Sequence, residues 1–128
     1  MKRKKEIKEK KKVTMKASKI FMLDKVFYEL EEQKTKFPLN IGYAVYKMGK
    51  QVSEAAEYIS NRLFSVIDSE RMRMGTMTDE EQIIYNAVME SEIDLKPFDI
   101  SKDEFFDNKE VVLSLEEIPY IEELFPEN

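Results

Sequence analysis

The stretch LNIGYAVYKMGKQVSEAAEYISNRLFSVIDSERMRM, residues 39–74, decides the fold. It holds no proline, and Ile41, Val45, Met48, Val52, Ala55 and Ile59 recur at steps of four and three, with Leu63 and Val66 continuing the line. A repeat near 3.5 residues puts these side chains on one face, so the spacing predicts a single helix over Leu39–Met74. Beside that seam runs a second line, Gly42, Tyr46, Gly49, Ser53, Ala56 and Ser60, small except for the tyrosine. Glycine inside a helix costs about 1 kcal/mol relative to alanine, so Gly42 and Gly49 imply another backbone packed closely along this side. An intramolecular hairpin or a homodimer satisfies that, and the second line is the candidate interaction surface.

On the N-terminal side, Ser18 is the expected cap of a helix running to about Lys34, with Ile20, Leu23, Val26, Phe27 and Leu30 inward. Lys36-Phe37-Pro38 breaks the pattern, because the residue before proline is pushed out of the α region. So short a connection makes the two helices antiparallel neighbours. On the other side, Gly75 ends the long helix with Arg71 and Arg73 in its last turn. Thr78-Asp-Glu-Glu81 is a capping box opening a third helix, with Ile83, Ile84, Ala87 and Val88 as its apolar face. Further on, Glu92–Ile100 reads as an edge strand or extended segment around Pro97 and Val111–Leu113 as a short strand, with Ser101–Glu104 and Ser114–Glu117 as further boxes. The second of these leads to a final helix kinked or split at Pro119.

The expected fold is α+β, mostly α: a long-helix antiparallel hairpin plus a third helix, with a small C-terminal subdomain of two short strands and a final helix. Residues 1–14 form a basic flexible arm. Residues 15–128 form one domain whose acidic C-terminal subdomain starts at about residue 92.

Composition excludes much chemistry. The chain has no Cys and no His, which removes thiolate and imidazole ligands, the commonest general base and every triad that uses imidazole. Three glycines leave no phosphate-cradling loop. No cofactor and no catalytic residue is expected. One metal pattern stands out: counted from Asp99, oxygen ligands fall at calcium-loop positions as Asp99, Ser101, Asp103, Asp107 and Glu110. Glu104 occupies the position that needs glycine, and Pro97 excludes the entering helix. A solvated capped turn explains the same residues.

Charge is polarised along the chain. Residues 1–75 hold 18 Lys/Arg and 10 Asp/Glu, a balance of +8, and residues 76–128 hold 3 and 16, a balance of −13. In residues 2–12, Lys2, Arg3, Lys4, Lys5, Lys8, Lys10, Lys11 and Lys12 form a candidate nucleic-acid arm or a solubilising tail. The acidic half is either a solvated surface or a phosphate mimic that occupies a nucleic-acid cleft on a host protein. Tyr43, Tyr46, Tyr58 and Phe64, with Lys47, Lys50 and Arg62, give the long helix a basic–aromatic character that serves a core, an interface or nucleic acid. No apolar run reaches membrane-spanning length and no secretory signal is recognisable, so no membrane and a cytoplasmic location are expected.

Phe37-Pro38-Leu39 followed by Tyr43 and Lys47, then Glu92-Ile93-Asp94, Leu113-Ser-Leu-Glu-Glu117 and Ile121-Glu-Glu-Leu124, resembles a family of small uncharacterised phage and prophage proteins of Gram-positive (Firmicute) bacteria. The resemblance covers about residues 18–125. It implies an origin, the host cytoplasm for a phage-encoded protein, and carries over no catalytic residue. The expected role is a non-enzymatic interaction or assembly protein with a host or phage protein partner.

Overall fold

The computed structural model describes residues 12–33, 36–109 and 111–125. Its architecture is α+β and mostly α, a long-helix hairpin carrying a small antiparallel sheet. Helix α1 (Ala17–Glu31) and helix α2 (Leu39–Val66) form the hairpin. Ile20, Leu23, Val26, Phe27 and Leu30 from α1 are buried in one core with Ile41, Val45, Met48, Val52, Ile59 and Leu63 from α2. The seam is thus inward, and Phe37 in the connection is buried as well.

The long helix stops at Val66, eight residues short of the expected Met74. Ile67 turns extended (φ −124°, ψ 134°), and Asp68 caps a separate short helix α3 (Ser69–Met74), its carboxylate accepting from the amides of Glu70 (2.8 Å) and Arg71 (3.1 Å). The corner lets Ile67 reach the core (2% exposed) and leaves Val66, expected on the seam, in solvent. An aspartate competing for free helical amides outweighs continuation of the pattern. Gly75 ends α3 in the left-handed region (φ 75°), with the amide of Thr76 donating to Arg71 O at 2.9 Å. A Cβ at residue 75 would meet nothing within 4 Å, so Gly75→Ala is expected to cost about 1 kcal/mol through backbone strain alone, read as a lower denaturation midpoint.

Helix α4 (Asp79–Glu90) opens on the expected capping box of Thr78 and Glu81. Its orientation departs from the apolar pattern: Glu81 is buried and Tyr85, Val88 and Met89 pack on the core, while Ile83, Ile84 and Ala87 face outward. A polar anchor sets this. Glu81 accepts from Arg71 Nε (3.0 Å) and Nη2 (2.5 Å), from the Thr78 amide (3.0 Å) and from the Asp68 amide (3.3 Å), so one carboxylate joins α3, α4 and the corner.

The sheet also differs in composition. Strand β1 (Val13–Lys16) pairs antiparallel with β2 (Glu92–Leu95), Val13 opposite Leu95 and Lys16 opposite Glu92. Residues 111–113 are irregular, so the sheet does not belong to a separate C-terminal subdomain but ties the start of the chain to the acidic half. Val13 and Thr14 accordingly leave the expected arm for the ladder. Helix α1 follows β1 at once, and Lys16, not Ser18, holds the capping position. The Ala17 amide, otherwise without a helical partner, donates to Ser91 O at 2.8 Å.

The last third closes over the hairpin. Helix α5 (Lys102–Phe106) starts with Ser101 Oγ accepting from the Glu104 amide, and helix α6 (Ile118–Glu122) follows a reciprocal Ser114–Glu117 box. Pro119 lies in the first turn of α6, where its missing N–H has no helical partner to lose, so the expected helix is split there, a turn over residues 115–117 preceding α6, and is not kinked. Phe98 lies 5.9 Å from Phe27, 5.2 Å from Phe105 and 5.0 Å from Phe125, centroid to centroid, and its amide donates to Leu124 O at 2.8 Å.

Candidate functional site: the groove between α1 and α2

Where α1 crosses α2, Gly49 faces Phe27. A Cβ there would lie 3.7 Å from Phe27 Cβ and 3.5 Å from Glu31 Oε2, ordinary contact distances. Beside the contact lies a groove of about 300 Å³. Its α1 wall carries Asp24, Tyr28 and Glu31, and its α2 wall carries Tyr46, Lys50 and Ser53. Tyr28 is 68% exposed and Tyr46 49% exposed, so two phenol rings stand in solvent on either side of Gly49. Asp24 and Lys50 make no ion pair among the described residues.

The second line of the long helix is therefore divided. Ala56 is buried, Gly42, Gly49 and Ser60 are half-buried, and Tyr46 and Ser53 are exposed. Gly49 serves the approach of α1, so Gly49→Leu would press on Phe27 and Glu31 within the same chain before meeting a second copy. Gly49→Ala has room. It is expected to stabilise the protein by about 0.5–1 kcal/mol through helix propensity, measurable as a higher midpoint in urea.

The calcium-loop pattern is dispersed. Asp99 pairs with Lys47 at 2.5 Å, the Ser101 hydroxyl caps α5, and α5 itself occupies the middle of the stretch containing Asp103. Asp107 follows α5 and donates its amide to Asp103 O at 2.8 Å, and Glu110 lies outside the described residues. Among the described residues no three Asp or Glu side chains gather closely enough to hold a metal ion.

The basic–aromatic residues of the long helix are all exposed, and two of the cations sit on rings of the same helix. Lys47 Nζ sits 4.8 Å from the Tyr43 ring centroid and the Arg62 guanidinium 5.9 Å from that of Tyr58. The hydrogen bond to Asp99 raises the Lys47 pKa, with the Asp99 charge and the Tyr43 contact adding to it. In the basic segment, Lys12 pairs with Asp94 at 3.5 Å, while Lys2, Arg3, Lys4, Lys5, Lys8, Lys10 and Lys11 lie outside the described residues. Asp94 also accepts from Thr14 Oγ1 at 2.8 Å, and that bond holds its carboxyl below the usual range.

Charge polarisation along the sequence closes up in the fold. Lys12–Asp94, Lys16–Glu90, Lys19–Glu123, Lys47–Asp99 and Arg71–Glu81 each join a base of the first 75 residues to an acid of the remainder. Like charges also meet: the protonated Glu29 carboxyl donates a hydrogen bond to the Glu117 carboxylate, and that bond together with the Glu117 charge raises the pKa of Glu29.

Sequence reasoning missed the α1 wall of the groove, because Asp24, Tyr28 and Glu31 look like the solvent side of an amphipathic helix. It also missed Gln51, whose Oε1 accepts from the Lys96 amide (2.6 Å) while its Nε2 donates to Lys96 O (3.3 Å), clamping the end of β2 to α2. No local signal marks a contact between residues so far apart. No helix among the described residues is long and apolar enough to cross a membrane. No protein-family model matches the chain, and the searches of curated proteins and of solved structures found no match.

Proposed function

We propose that this chain is a non-enzymatic interaction protein that receives a segment of a partner protein in the α1–α2 groove, acting in the cytoplasm, as the phage resemblance implies. The observation that carries this reading is the pair Tyr28 and Tyr46, exposed on either side of Gly49. A tyrosine held in solvent on a rigid helix offers a large amphipathic surface that loses little entropy on contact, the property that makes tyrosine an interface anchor. Asp24 on one wall and Lys50 on the other supply polar groups that fix orientation.

The phosphate-mimic alternative has less support, because Glu81, Glu90, Asp94, Asp99 and Glu123 already face bases of their own chain. The test is affinity capture from the native host with the wild type and with Tyr28→Ala/Tyr46→Ala. Both side chains are exposed, so the variant is expected to keep the wild-type melting temperature and to lose the captured protein by at least about tenfold. Undiminished capture by the folded variant defeats the groove reading.

A further inference from the structure

We propose that the outward face of α4 is a second docking surface, one that takes a basic amphipathic helix of a partner protein. Glu80, Ile83, Ile84 and Ala87 follow the spacing i, i+3, i+4, i+7 and so form one stripe along the helix. All four are exposed, Ile83 at 68% and Ile84, which borders the packed side, at 37%. Isoleucine is a weaker helix former than alanine, glutamate or lysine because its β-branch restricts χ1. At a solvent position it thus burdens the helix and adds nothing to the core. The residues that hold α4 in place lie on its other side, Glu81, Tyr85, Val88 and Met89.

Charge identifies the occupant. Helix α4 contains Asp79, Glu80, Glu81 and Glu90 and no Lys or Arg. Glu81 is taken by Arg71 and Glu90 by Lys16, but Asp79 and Glu80 make no ion pair among the described residues. An apolar stripe with uncompensated acid at its N-terminal end fits a helix that presents apolar residues at the same spacing with Lys or Arg beside them. This surface is independent of the α1–α2 groove and stands or falls separately.

The probe is a short synthetic Leu/Lys peptide of helical period, set against a scrambled peptide of the same composition and a Leu/Glu counterpart. Fluorescence anisotropy is expected to give a dissociation constant on the order of 10–100 μM for the Leu/Lys peptide, weakening as salt rises. Amide shifts should centre on Ile83, Ile84 and Ala87. Ile83→Gln/Ala87→Gln, which changes only exposed positions, is expected to keep the melting temperature and weaken binding by about tenfold or more, whereas Tyr46→Ala leaves it unchanged. The proposal is overturned if the peptide fails to bind, if the scrambled peptide binds equally well, or if the folded double variant binds like the wild type.

Discussion

Phe105→Ala is expected to destabilise the protein by about 3–5 kcal/mol, a large part of the roughly 5–15 kcal/mol that a domain of this size possesses. Phe105 is fully buried, its ring centroid 5.2 Å from that of Phe98 and 5.9 Å from that of Phe125, both tilted, and 5.1 Å from that of Phe106, edge to face. Removing its ring leaves a cavity lined by three other rings, which cannot all move in to fill it because Phe98 is held by its contact with Phe27 and by the hydrogen bond its amide donates to Leu124 O. The melting temperature should fall by about 10–20 °C. The whole transition should move, α1 and α2 included. If the acidic third were an appended unit, the hairpin would melt where the wild type does and only part of the helical signal would shift.

The second large effect is at Glu81. Its hydrogen bonds to the Arg71 side chain, helped by those from the Thr78 and Asp68 amides, lower its pKa from 4.5 to about 2. Because the folded state holds this carboxyl ionised more strongly than the unfolded chain does, its contribution is complete above about pH 4.5 and disappears as the pH falls towards 2. Glu81→Gln keeps the size of the side chain but replaces the carboxylate and leaves Arg71 without its counter-charge. At pH 7 the variant is expected to melt several degrees below the wild type, and near pH 2 the two should melt together. Thermal melts across that range are the check, and a difference independent of pH contradicts the role given to the ion pair. The exposed pair Arg73–Glu70 should show little of this, since water screens both partners.

Periodicity made the hairpin legible. Ile20, Leu23, Val26 and Leu30 on one helix and the seam from Ile41 to Leu63 on the other are apolar at helical spacing, and burial alone decides their placement. Capping boxes at Thr78 and Ser114 were legible too, because each links residues three apart, while at Ser101 only the hydroxyl half of the box forms and the Glu104 carboxylate accepts from Asn40 instead. What sequence could not supply are pairings between distant residues. Nothing local in Val13–Lys16 selects Glu92–Leu95 as its partner strand. Two local signals were outweighed. The helical pattern through Val66 yields to the cap at Asp68, and the apolar stripe of α4 yields to Glu81, whose four bonds turn Ile83 and Ile84 outward. Only half of the groove could be read. Tyr46, Gly49 and Ser53 stand on the singled-out line, but Tyr28 and Asp24 become partners of that line only once α1 lies across α2.

That the two oppositely charged halves form one body is tested most directly by native-state hydrogen exchange. The amide of Val45 in α2 reports the hairpin, that of Leu95 in β2 the sheet, and that of Phe98 the closure by the C-terminal segment. Exchange of all three through a single global opening, with a common dependence on denaturant, is the expected result. Exchange of Leu95 and Phe98 through a cheaper opening that leaves Val45 protected would contradict it.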